Sequence, residues 1–84
     1  MTTILVTGAA GFIGSNLVKA IYRSFDEPMV IGVDNMNDYY DVRLKEQRLD
    51  ELMHYSTFTF IQGNIADKKL INDTFDLYQP QIVV

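Results

Sequence analysis

The chain has no cysteine and no tryptophan, and only 2 prolines and 1 histidine among its 84 residues. Without cysteine, disulfide frameworks, thiolate nucleophiles and cysteine-ligated metals are excluded. The one histidine, His54, falls near the end of a predicted helix between Met53 and Tyr55, where a surface residue is the ordinary reading. Basic residues are sparse: 7 Lys and Arg stand against 11 Asp and Glu, for a formal net charge of −4. The longest basic run is Lys68-Lys69, so no surface for nucleic acid or anionic lipid is expected. No apolar run reaches membrane-spanning length, and the start Met1-Thr2-Thr3 carries no basic segment, so a cytoplasmic location is expected.

What is present is ordinary globular composition, 48% hydrophobic and 21% charged, on a length that allows one small domain. Such a chain buries only about 60–65% of its unfolded surface, so its core is modest. Asp and Glu lie scattered on the wet faces of predicted helices, and neither a paired-carboxylate centre nor a metal cluster emerges.

The most informative segment is Thr7-Gly8-Ala9-Ala10-Gly11-Phe12-Ile13-Gly14, which follows the apolar run Ile4-Leu5-Val6. Gly8 lets the chain leave a strand in a tight turn, because glycine takes positive φ at little cost. Gly11 presents backbone without a Cβ, so a pyrophosphate could approach the first N–H groups of a following helix, where the helix dipole favours negative charge. Gly14 is expected to let that helix lie close against the sheet. Roughly 20 residues further on, a second apolar run ends at Asp34, whose carboxylate could accept hydrogen bonds from ribose hydroxyls and repel a 2′-phosphate. NAD is therefore expected rather than NADP. The spacing is Gly-x-x-Gly-x-x-Gly, and a glycine-rich turn without a ligand is the alternative.

Strands are expected over residues 3–7, 29–33 and 57–61, and helices over 11–24, 41–55 and 67–78, with a last strand beginning at 82–84. The predicted inward residues are Ile13, Leu17, Ala20 and Ile21 on the first helix, Val42, Leu49, Leu52 and Met53 on the second, and Ile71, Phe75 and Tyr78 on the third. Glu46, Arg48, Asp50 and Glu51 are expected in solvent, and Asp67 as the N-cap of the third helix. Alternating strands and helices imply parallel pairing with right-handed crossovers: an α/β fold of the Rossmann type, a doubly wound parallel sheet of about four strands and three helices. The run Ile82-Val83-Val84 reads as a fourth strand placed beside the first and interrupted as it begins. Residues 1–84 are thus expected to be the N-terminal portion of a nucleotide-binding domain.

The glycine segment resembles that of the extended short-chain dehydrogenase/reductase superfamily, and the stretch Asp34-Asn35-Met36-Asn37-Asp38-Tyr39-Tyr40-Asp41-Val42-Arg43-Leu44-Lys45 looks like the UDP-glucuronate 4-epimerase group of NAD-dependent sugar-nucleotide epimerases. The resemblance covers essentially the whole chain. It implies contacts of Gly8, Gly11, Phe12, Ile13 and Gly14 with the pyrophosphate side of NAD, and of Asp34, Asn35 and Asn37 with the adenosine ribose. Asn64-Ile65 matches a position where such enzymes place Asp-Ile against adenine; an asparagine carbonyl can still accept there, though an ordinary turn residue is an equal reading. The family mechanism implies that hydride leaves C4 of a UDP-hexuronate, the keto intermediate turns, and hydride returns to the other face.

The Tyr-x-x-x-Lys pair of that family is missing. Tyr39 and Arg43 imitate its spacing, but arginine holds its proton too tightly to tune a tyrosinate. The resemblance therefore places the tyrosine base, its lysine and the UDP-sugar site beyond Val84, in an intact enzyme expected to be a homodimer. No catalytic and no metal-ligating residue is assigned within the chain, which is expected to bind cofactor weakly and turn over nothing. Other readings are a related epimerase, dehydratase or decarboxylase, and a non-catalytic NAD-binding module.

Overall fold

The computed structural model describes residues 2–36 and 42–84, with only the backbone of Val42. Seven elements follow in order: β1 (Thr3–Thr7), α1 (Phe12–Ser24), β2 (Met29–Asp34), α2 (Val42–Leu52), β3 (Phe58–Gln62), α3 (Lys68–Tyr78) and β4 (Ile82–Val83). All four strands are parallel, in the order β3-β2-β1-β4, which is the doubly wound arrangement expected from the alternation.

The central strands β1 and β2 are buried on both faces, which is why these two read as continuous apolar runs. Ile4, Val6, Val30 and Phe58 point to one face, where Val18 and Ile21 of α1 and Leu52 of α2 pack on them. Leu5, Ile31 and Val33 point to the other, against Tyr78 of α3. Val6, Gly32 and Phe60 share one rung of the sheet. A Cβ at Gly32 would come within 2.7 Å of the Phe58 ring and 2.8 Å of the Ala9 Cβ, so glycine there is a packing requirement.

The register aligns Thr7 with Val33 and Asp34 with Gln62, so the ends of β1, β2 and β3 form one carboxyl edge. β4 adjoins β1 as expected: Ile82 pairs with Ile4, the Val84 N–H donates to the Leu5 carbonyl at 2.9 Å, and the Thr7 N–H and hydroxyl both donate to the Val84 carbonyl at 3.0 Å. Asp67 caps α3 as expected, accepting from the N–H groups of Lys69 and Leu70.

Several expectations need correction. Gly11 is the N-cap of α1 rather than its first residue. Ile13 is 80% exposed; the core position belongs to Val18. In the first turn of α1, Ile13 borders a cleft and not the core. α2 stops at Leu52, so Met53 is exposed and His54 sits just past the helix with its Nδ1 2.8 Å from the Asp50 carbonyl. On α3 the buried residue is Thr74, whose hydroxyl donates to the Leu70 carbonyl at 2.7 Å, while Phe75 is 37% exposed. The expected helix start at Asp41 and the inward side chain of Val42 fall outside what is described. Among the described residues no helix is long and apolar enough to cross a membrane.

Candidate dinucleotide site

The turn after β1 is closed by its own backbone. Gly8 has φ +65°, a conformation that suits glycine, and its carbonyl accepts the Gly11 N–H at 3.0 Å. The next two residues are tied sideways to β2: the Ala9 N–H donates to the Val33 carbonyl at 3.2 Å, and the Ala10 N–H donates to Asp34 Oδ2 at 3.0 Å. Both alanines are fully buried. The acidic residue at the end of β2 thus has a structural task that the sequence did not reveal, since it fixes the glycine turn in place.

A Cβ added at Gly14 would lie 2.0 Å from the Gly8 carbonyl oxygen and 3.1 Å from the Ala9 Cα. Gly14 therefore lets α1 press against the turn, a closer requirement than the helix-to-sheet contact expected from sequence. A Cβ at Gly11 would lie 3.3 Å from the Gly8 oxygen, which is tight but not prohibitive. The first helical hydrogen bond is Ser15 N–H to the Gly11 carbonyl, so the N–H groups of Phe12, Ile13 and Gly14 precede any intrahelical acceptor. No acidic side chain occupies this first turn. The result is an anion-accepting helix end with room for close backbone approach.

Two clefts open along the carboxyl edge. The larger, about 720 Å³, has Gly11, Ile13 and Gly14 on one wall and Leu44, Lys45 and Arg48 of α2 on the other. The smaller, about 290 Å³, is bordered by Asp34, Asn35, Asn64 and Ile65. Thr7, Gly8 and Lys45 line both, so the clefts meet over the end of β1. That meeting point lies where the strand order turns from β2 on one side to β4 on the other, the usual ligand position in open α/β sheets.

The sequence-predicted residues thus divide into two groups that adjoin. Gly8, Gly11, Phe12, Ile13 and Gly14 border the larger cleft, and Asp34, Asn35, Asn64 and Ile65 the smaller. Asn37 lies outside the described residues, as does Tyr39. The Asn64 side-chain carbonyl accepts the Ala66 N–H at 2.9 Å, an Asx turn, which leaves the oxygen one further lone pair.

Two charged residues of the α2 wall escaped the sequence reading. Arg48, expected in solvent, places its guanidinium 5.7 Å from the centre of the Phe12 ring, at the mouth of the larger cleft. Lys45 reaches from α2 to Asp34, with Nζ 3.0 Å from Oδ1. Lys and Arg at i and i+3 share a helix face, but only the packing of α2 against α1 turns that face to the glycines.

The family model described as GDP-mannose 4,6 dehydratase matches residues 5–84. UDP-glucuronate 4-epimerase 4 of Arabidopsis thaliana is 44% identical over 75 residues, which is 89% of this chain and 16% of that protein. The UDP-glucuronic acid 4-epimerase of Bacillus cereus, solved with UDP-glucuronic acid and NAD, superposes with a TM-score of 0.84 at 32% identity, over 99% of this chain and 25% of that one. The dTDP-glucose 4,6-dehydratase of Bacillus anthracis, solved with NAD, superposes with a TM-score of 0.84 at 25% identity, over 99% of this chain and 26% of that one. The chain thus spans between 16% and 26% of the length of these relatives. With the family model covering nearly every residue and the sheet order and glycine turn in agreement, the chain belongs to the NAD-dependent epimerase/dehydratase family that the GDP-mannose 4,6 dehydratase model describes.

Proposed function

We propose that this chain is the NAD-binding portion of a sugar-nucleotide epimerase whose substrate is UDP-glucuronate. The observation that carries the cofactor half is the Ala10–Asp34 hydrogen bond at 3.0 Å, which joins a helix end suited to pyrophosphate with a carboxylate suited to ribose. The absent Cβ of Gly14 lets α1 sit close enough to the turn to bring its first N–H groups to the cleft, and Gly11 borders that cleft without a side chain. In this reading the N–H groups of Phe12 and Ile13 at the start of α1 hold the pyrophosphate, with Gly8, Gly11 and Gly14 keeping that wall thin. Asp34 and Asn35 read the adenosine ribose, Asn37 joins them, and Asn64 and Ile65 border adenine. The Asp34 carboxylate favours ribose hydroxyls over a 2′-phosphate, hence NAD.

If bound along Gly8, Gly11 and Asp34, NAD would supply reversible hydride chemistry for C4 of the sugar. This chain's own part is binding and orientation; no residue in it is proposed to move a proton in the reaction. The substrate assignment rests on the likeness to UDP-glucuronate 4-epimerases, at 44% identity in the Arabidopsis protein. That the chain spans 16% of that relative supports placing the catalytic and UDP-sugar groups beyond Val84. The intact enzyme is proposed as a cytoplasmic homodimer.

The protein expressed from its complete reading frame should convert UDP-glucuronate to UDP-galacturonate, followed by proton NMR of the anomeric signals. Residues 1–84 alone should bind NAD and convert nothing. Preference for UDP-glucose or dTDP-glucose over UDP-glucuronate by the intact protein would overturn the substrate assignment and leave the cofactor assignment standing.

A further inference from the structure

The carboxylate at the end of β2 is more heavily engaged than a ribose reader needs to be. Asp34 Oδ1 accepts the Met36 N–H at 2.7 Å and Lys45 Nζ at 3.0 Å, while Oδ2 accepts the Ala10 N–H at 3.0 Å. Each carboxylate oxygen offers two lone pairs, so among the described residues Oδ1 has its two donors and Oδ2 keeps one place for a ribose hydroxyl. A second hydroxyl must find its partner elsewhere. The ammonium of Lys45 has three protons, of which Asp34 takes one, and its residue borders both clefts. The pair is also sheltered, with the Asp34 side chain 3% and the Lys45 side chain 17% exposed. Whatever sits on the ribose edge therefore meets a neutral carboxylate–ammonium pair instead of an isolated negative charge.

Resting on the NAD reading above, we propose that Lys45 is the residue that sets how strictly this site refuses a 2′-phosphate. As a positioning residue it holds the Asp34 carboxylate in the orientation that leaves Oδ2 open. As a donor and a cation at the ribose edge it offsets the repulsion that Asp34 alone would exert on a phosphate. Two opposed charges a few ångströms from a phosphate shift its binding by more than a factor of ten if one is deleted, even at the dielectric of a protein surface. Removal of the ammonium should accordingly weaken NADP far more than NAD.

The experiment is calorimetric titration of the full chain and its variants with NAD and with NADP, each variant checked for a cooperative thermal transition by circular dichroism. Lys45→Met should widen the NAD-to-NADP affinity ratio about tenfold or more, while Lys45→Arg, which keeps the charge, should leave the ratio near that of the unsubstituted chain. If Lys45→Met does not fold cooperatively, Lys45→Gln removes the charge and keeps one donor, with the same widening expected. Equal losses for both dinucleotides in a folded variant would show that Lys45 only braces Asp34, and would overturn the proposal. A folded, unsubstituted chain that binds NAD with an unmoved ratio in the variants sinks the Lys45 proposal alone, whereas one that binds neither dinucleotide sinks the NAD reading and this proposal with it.

Discussion

Replacing Gly14 by alanine should cost this chain about 3 kcal/mol of stability, the upper end of what an overpacked core position costs, and lower its thermal midpoint by about 10–20 °C. The added methyl would stand 2.0 Å from the Gly8 carbonyl oxygen and 2.8 Å from the Gly8 carbonyl carbon, both backbone atoms that cannot rotate aside. Relief requires α1 to move off the turn, which also moves the N–H groups proposed to hold the pyrophosphate, so NAD affinity falls along with stability. Gly11→Ala separates the two effects. Its methyl meets the Gly8 oxygen at 3.3 Å, a contact relieved by a shift of a few tenths of an ångström, and Gly11 borders the larger cleft. Melting should change by only a few degrees while NAD affinity drops about tenfold or more. Circular dichroism melts and titration of the two variants side by side read this out; a Gly14→Ala variant that melts with the unsubstituted chain would refute the role given to that close approach.

Asp34→Ala should be the second large effect, at about 3 kcal/mol. Removing one partner of a sheltered ion pair typically costs 3–5 kcal/mol, and the lower end applies because the Lys45 side chain keeps some contact with water. The Ala10 and Met36 N–H groups lose their acceptor in the same step. NAD binding should weaken more than NADP binding, since the ribose loses its acceptor while a 2′-phosphate loses a repelling charge and keeps Lys45. Asp34→Ala thus narrows the preference for NAD that Lys45→Met widens. Titration with both dinucleotides measures that opposition, and equal losses in Asp34→Ala would remove Asp34 from the ribose edge.

Much of the fold was legible because the signals were local. Ile4-Leu5-Val6 and the run into Asp34 read as strands because both faces of a parallel sheet are buried, and the three glycines of the first turn marked its tight geometry. Asp67 announced the start of α3 through its own side chain. The site's first wall was therefore readable before the structure. Its second wall was not: Leu44, Lys45 and Arg48 face the glycines only because α2 packs against α1, a contact with no trace in local spacing. The inward face of α1 was misplaced at Ile13 for a related reason, since helical periodicity cannot tell which turn of a helix borders a cleft instead of the core. The double duty of Asp34 also needed three dimensions, because Ala10 and Lys45 meet it from different elements.

The most direct measurement is calorimetric titration of the cooperatively folded chain with NAD. Saturable binding, tighter for NAD than for NADP and weakened by Gly11→Ala without loss of the thermal transition, is the predicted result. A folded chain that gives no binding heat at millimolar NAD would contradict the assignment of the β1–α1 turn and Asp34 as a dinucleotide site.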